Sequence, residues 1–319
     1  MPLTILLSSL LSSALAGPVL KPSPLSEEAY AETYTAVTSL NDGGFVLLQF
    51  VFTNAGIGDQ RAACRALWVP PGESGINEGE NTDRSGWSYN ASTDALTVGN
   101  CQLGTTESGM RFSAALSDLN ITLDIQASPN QVKPPNSRIE AGGGFYESDL
   151  VVPWAKAQAT ITAGSRSTSQ AGFVLIDHSR SNNLLPKVTN CWLRFRGFTG
   201  STPTLVHVRV PPNGGMDGWV WPLSEAQPTG AGNIDLQITD SVNAIVVSYG
   251  SDTITVSPTS QIYQYRPTES YGALGRLASP WIGNPTTTTY HARATTADGG
   301  TVSGILEVSE INDGGCAAQ

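Results

Sequence analysis

The chain has 319 residues, enough for one large domain or two ordinary ones, and 39% are apolar while only 14% are charged, against the ~25% charged residues of ordinary soluble domains. Solubility therefore rests on Ser, Thr, Asn and Gly. A formal charge of -10 repels phosphate backbones and anionic membrane surfaces, which are bound through clustered Lys and Arg, so no nucleic-acid partner is expected.

An apolar run over residues 3–15 closes on Ala14-Leu15-Ala16, the small-x-small pattern that a signal peptidase cuts. A leader over 1–16 is expected, the alternative being a buried β segment, since no basic residue precedes the run. The run is shorter than a ~20-residue membrane span. No other segment is long and apolar enough to span, so a secreted or periplasmic protein without a membrane span is expected.

Further on, short runs of β-branched and aromatic residues recur between Gly, Pro, Asn and Asp clusters, the signature of strands and hairpins. Residues 34–40 (YTAVTSL) and 45–53 (FVLLQFVFT) flank Asn41-Asp42-Gly43-Gly44, which predicts a tight hairpin with glycine supplying positive φ. Strands follow at 96–98, 110–115, 121–125, 157–162, 172–176, 191–198, 205–210, 234–238, 244–249 and 262–266. A second hairpin is expected where 291–296 and 301–308 flank Asp298-Gly299-Gly300. Regular short strands imply sandwiches or barrels, so the fold class is all-β and antiparallel. The polar, Pro- and Gly-rich stretch 127–144 (ASPNQVKPPNSRIEAGGG) is the expected linker. It divides the mature chain into domains 17–150 and 151–319. A single large β-sandwich with a long loop is the competing view.

Cys64, Cys101, Cys191 and Cys316 are the four cysteines, and an even count in an exported chain suits disulfides, with Cys64–Cys101 the preferred pair and four buried thiols the alternative. No C-x-x-C occurs and His178, His207 and His291 stand apart in sequence, so no metal is expected. No Gly-x-Ser-x-Gly elbow presents a serine, and Gly142-Gly143-Gly144 precedes a strand where a phosphate loop would precede a helix. Asn90-Ala91-Ser92 and Asn120-Ile121-Thr122 are glycosylation sequons, relevant in a eukaryotic host.

Several marks, in order, resemble the two-domain lipocalin-like family of carotenoid 1,2-hydratases, kievitone hydratase, survival-factor proteins and lipocalin-like Diels-Alderases. The first is Glu32-Thr33-Tyr34, the Asn41-Asp42-Gly43 turn and the strand 45–50. The second is Tyr146 and 151–161 leading to 172–178, a glycine-led strand that ends in Asp177-His178, then Trp192-Leu193-Arg194. The last is 304–308, a small-residue strand ending in an acid. Ile176 stands where the family often has tyrosine, and paired tryptophans near Tyr34 are missing.

The resemblance implies two lipocalin-like antiparallel β-barrel domains that bind a hydrophobic, isoprenoid or polyketide-like molecule. It also implies cofactor-independent hydratase or cyclase chemistry. A non-enzymatic carrier of a lipidic ligand is the alternative. Asp177 and His178 are the expected catalytic pair, a carboxyl and an imidazole beside an apolar cavity. The plainer reading is a turn capped by Ser179 and Arg180. Trp192 and Arg194 alternate on one strand face and are expected to bind substrate, or else to plug the barrel and form a structural ion pair. Tyr146, Trp154, Trp221 and Trp281 are further candidates for the cavity wall, each equally able to be core.

Overall fold

The computed structural model describes residues 20–54, 59–200, 202–238, 242–266, 285–312 and 315–317. The expected leader and Trp281 lie outside the described residues. In chain order the strands are β1 (Ala31–Leu40), β2 (Phe45–Thr53), β3 (Arg61–Val69), β4 (Ile76–Thr82), β5 (Trp87–Asn90), β6 (Ala95–Val98), β7 (Cys101–Thr106), β8 (Gly109–Ala115), β9 (Leu119–Ile125), β10 (Arg138–Ala141), β11 (Gly144–Ala163) and β12 (Arg166–Ser181). A short helix α1 (Leu185–Val188) follows. Then come β13 (Cys191–Gly197), β14 (Thr204–Val210), β15 (Asp217–Pro222), β16 (Thr229–Gly230), β17 (Asn233–Ile238), β18 (Val242–Tyr249), β19 (Asp252–Tyr265), β20 (Thr286–Thr296) and β21 (Thr301–Glu310).

Two antiparallel sheets account for nearly all of this, β1–β12 in one and β13–β21 in the other. The first curls into a barrel and the second into a half-barrel, which matches the expected all-β architecture. Both expected hairpins form by the same chemistry. Asp42 Oδ1 accepts from Gly44 N at 2.8 Å while Gly43 takes φ 90°. Asp298 Oδ1 accepts from Gly300 N at 3.1 Å while Gly299 takes φ 85°.

The change of sheet falls between Ser181 and Cys191, across α1. A division at 150/151 would cut through β11, which pairs with β9 and β12, while β12 pairs with β1. The stretch 127–144 does not join the sheets. It lies along the barrel, with Val132 bridged to Leu150 and β10 paired to β11.

Alternation sets the barrel interior. On β1 the inward series is Glu32, Tyr34, Ala36, Thr38 and Leu40, all buried, and Leu48, Phe50, Phe112, Leu123 and Ile176 fill the space it faces. The outward series Val37, Leu47, Leu67 and Leu175 packs against Phe198, Leu205, Trp219, Trp221 and Ile305 of the second sheet. Burying such side chains contributes about 2 kcal/mol each, so the sheets are docked by a core and not by a flexible linker. Cys64–Cys101 ties β3 to β7 with Cα atoms 6.3 Å apart, and Cys191–Cys316 ties β13 to the C-terminal turn at 5.0 Å. Both are disulfides, the preferred reading for the first pair, and they suit an oxidising compartment.

Candidate functional site

Asp177 and His178 both lie within β12, not in a turn. Successive residues of a strand point to opposite faces, so the expected pair is divided between two environments.

His178 faces the barrel interior. Its register partner on β1 is Tyr34 and on β11 is Asp149. The imidazole stacks on the Tyr34 ring at 4.4 Å and 21°. Its Nε2 lies 2.8 Å from Glu32 Oε1, and since a carboxylate only accepts, Nε2–H is the donor. Glu32 is fully buried and also accepts from Tyr30 OH at 2.7 Å and Ser23 N at 2.9 Å. Burial pushes the Glu32 carboxyl upward, but the hydrogen bond and charge of His178, with Tyr30 and Ser23, outweigh it and leave the pKa lowered. Burial, then the Glu32 charge, raises Tyr30 and Tyr34 far above the usual phenol range.

The chain before β1 closes this end of the barrel. Leu20 and Tyr30 are fully buried there, and Asn54 Nδ2 donates to Leu25 O and Glu27 O at 2.9 and 3.0 Å. On the flank, Arg180 pairs with Glu147 at 2.6 Å and Gln131 Nε2 donates to Asp149 at 2.7 Å. Tyr34 OH and Thr38 Oγ1 are buried inside the barrel with no partner among the described residues.

Asp177 faces the other way, into the contact between sheets. Its partner is Arg196, at 3.1 Å, and Arg196 also bonds Glu307 of β21. The three side chains are 13%, 4% and 6% exposed. Arg194 lies on the same face of β13, as does Trp192, in keeping with their spacing. Tyr146 packs on Trp192 at 4.9 Å, and the Arg194 guanidinium sits 5.3 Å from the Trp192 ring. Burial pushes the Arg194 pKa down, and Tyr146, Asp177 and Glu307 outweigh it to leave it raised. Trp154 stacks on Phe173 at 5.0 Å, and Trp221 donates to Glu225 O at 3.0 Å.

His207 joins this inter-sheet group, edge-on to Trp219 at 5.5 Å. Its buried Nε2 has no partner among the described residues. Burial, then the charges of Arg194, Arg196 and Arg209, hold its pKa well below the usual histidine value. The unfolded chain takes up a proton here near pH ~6.5 and the folded chain does not, so stability is expected to fall as pH drops below that value. His207→Phe should flatten that limb in a plot of melting temperature against pH, with His291, also lowered by burial, supplying the remainder. An unchanged slope in the variant would refute this assignment.

Residue order alone did not single out Glu32, Tyr30, Arg196, Glu307 or His207 as site residues. The usable signal was alternation, which already sets Arg196 beside Arg194 on one face and separates Asp177 from His178. Two surface clefts, of about 550 Å³ beside Ile139, Lys187 and Met216 and about 680 Å³ beside Met110, Arg111 and Gln158, include none of the expected site residues. Among the described residues no three His, Cys, Asp or Glu side chains converge in a way that could hold a metal ion.

No protein-family model matches the sequence, and no curated protein matches it. Among solved structures, a protein of Nitrosomonas europaea described as an AttH superposes with TM-score 0.62 at 12% identity, covering 89% of this chain and 92% of that one. Kievitone hydratase from Nectria haematococca gives 0.58 at 9% identity, over 95% and 94% of the two chains. CghA bound to Sch210972 gives 0.61 at 10%, over 93% and 95%. At these identities the likeness shows the fold, and this chain shares the lipocalin-like two-sheet architecture that the order of its sequence marks implies.

Proposed function

With that fold as premise, we propose that the chain is an exported protein that binds an apolar isoprenoid or polyketide-like molecule against His178 at the end of the first barrel and hydrates or cyclises it without a cofactor, His178 transferring the proton. The observation that supports this reading is the enclosed His178–Glu32 pair under Tyr34. Glu32 stays ionised because its pKa is lowered. It is therefore not the proton donor; it fixes the imidazole tautomer and stabilises the imidazolium.

In hydration, Nδ1 of the protonated ring gives its proton to one carbon of an isolated double bond. Water adds to the cation at the other carbon, and the surplus proton of that water returns to Nδ1. In cyclisation an internal double bond replaces the water. The ring of Tyr34 beside the imidazole tolerates the transient positive charge. Two proteins of the same fold point the same way by name, one a hydratase and the other crystallised with a small molecule.

A second reading, a carrier that shelters a lipidic molecule without changing it, needs no acid or base and is supported by the shared fold, one protein of which is crystallised with a bound small molecule. Native mass spectrometry of protein purified from its own host tests both. A retained apolar molecule that is released chemically altered supports the enzyme, one released unaltered supports the carrier, and a preparation that retains none and takes up none of its host's apolar extract defeats both.

A further inference from the structure

We infer that Asn90 and Asn120 are N-glycosylation sites, and that the wall of the barrel formed by β5–β9 is a glycan-bearing face. The inference is independent of any ligand chemistry. It begins with placement: a sequon can be used only where a bulky polar chain fits on the carboxamide, and many Asn-x-Ser/Thr triplets end up buried in folded proteins. Both of these asparagines are exposed.

Asn90 is the last residue of β5, at the entry to the turn leading to β6. Its Oδ1 accepts from Ser92 N at 3.0 Å and from Ser92 Oγ at 2.7 Å, an Asx turn in which the required hydroxyl engages the acceptor amide itself. Asn120 lies on β9, where the burial alternates from Leu119 inward to Asn120 outward, and Thr122 follows on the same outer face. Its register partners, Ala115 on β8 and Thr162 on β11, are small enough to leave room above the carboxamide.

The second observation is where this wall stands. The cluster that docks the two sheets draws on β1, β2, β3, β11 and β12 and on no residue of β5–β9. The outward positions there carry Ser88, Gln102, Thr106 and Asn120, with Arg111 and Asp124 as a surface ion pair at 2.6 Å. A broad polar face with few charges, in a chain only 14% charged, is the kind of surface that attached sugar keeps soluble. The third observation is redox: the disulfides Cys64–Cys101 and Cys191–Cys316 suit an oxidising compartment, the condition under which a eukaryotic host attaches sugar.

The donor is an oligosaccharide linked to a polyprenyl pyrophosphate, supplied with its transferase by the host. Asn Nδ2 forms a bond to C1 of the reducing-end sugar, the C1–oxygen bond to pyrophosphate breaks, the polyprenyl pyrophosphate leaves with that electron pair, and Nδ2 loses one proton. No oxidation or reduction takes place.

The test is peptide mapping of the secreted protein from its own host, before and after peptide N-glycosidase in heavy-oxygen water. The expected result is glycosylated peptides that convert to labelled Asp at 90 and 120. Ser92→Ala and Thr122→Ala should each remove one glycan, while Ser92→Thr, which keeps the sequon, should retain it. Recovery of both peptides with unmodified Asn, or a glycan at 90 that survives Ser92→Ala, overturns the inference.

Discussion

Arg196→Met should lower the unfolding free energy by about 4 kcal/mol, because removing one partner of a buried charge set leaves the others uncompensated. The guanidinium is only 4% exposed and lies between Asp177 of the first sheet and Glu307 of the second. Without it Asp177 and Glu307 lose their direct ion-pair partner and keep only the more distant charge of Arg194. Arg196→Lys should also be costly, because an ammonium lacks the planar fork that meets two carboxylates at once. Replacing all three residues together, Arg196→Met with Asp177→Asn and Glu307→Gln, should recover only part of the loss, since the charge desolvation of the triad is removed but the buried Arg194 then loses its two carboxylates. Urea denaturation followed by tryptophan fluorescence measures this. A single variant within about 1 kcal/mol of the parent would show that the network contributes little to docking.

His178→Gln should reduce turnover of the retained molecule by ~100-fold or more while leaving its binding intact, the usual size of a general acid–base contribution. Glutamine keeps a hydrogen-bond donor toward Glu32 but cannot carry a proton through neutral pH. Glu32→Gln removes the charge that fixes the ring and should also slow turnover, with a shifted pH profile that a merely structural role would not produce. It should change stability as well. The Glu32 pKa is lowered in the folded chain, so its contribution is present above the ordinary carboxylate value and is lost as pH falls through the folded one. Asp177→Asn is the contrasting variant. Asp177 faces Arg196 and not the barrel, so it should weaken the inter-sheet contact and leave turnover unchanged. Full activity in His178→Gln would remove the acid–base mechanism and leave the carrier reading.

Local alternation was enough to anticipate much of this molecule. The runs at 34–40 and 45–53 contain one apolar series per face and are joined by Asp-Gly chemistry that admits few other shapes, so the β1–β2 hairpin could be read directly. The spacing of Trp192 and Arg194 likewise determined a shared face. Where alternation is weak the strands were missed. β4 reads INEGENT and is exposed or half-exposed throughout, an edge strand with no buried face to impose a pattern. β3 has small alanines inward on the barrel side, and β15 reads DGWVWP with glycine and proline at its ends.

Partnership across the fold was decided by tertiary structure. Glu32 meets His178 at a sequence separation of 146, a contact set by the β1–β12 register. Arg196, and not the Arg194 of the same strand face, is the residue that bonds Asp177 across the two sheets, at 3.1 Å. The sheet boundary fell at 181–191 because β11 and β12 found their partners in β9 and β1. Side-chain direction along a strand follows from the chain's own geometry and so belongs to the sequence. Which strands pair, and which outward faces meet, depends on burying apolar surface from distant segments together, and only the folded chain brings those segments into contact.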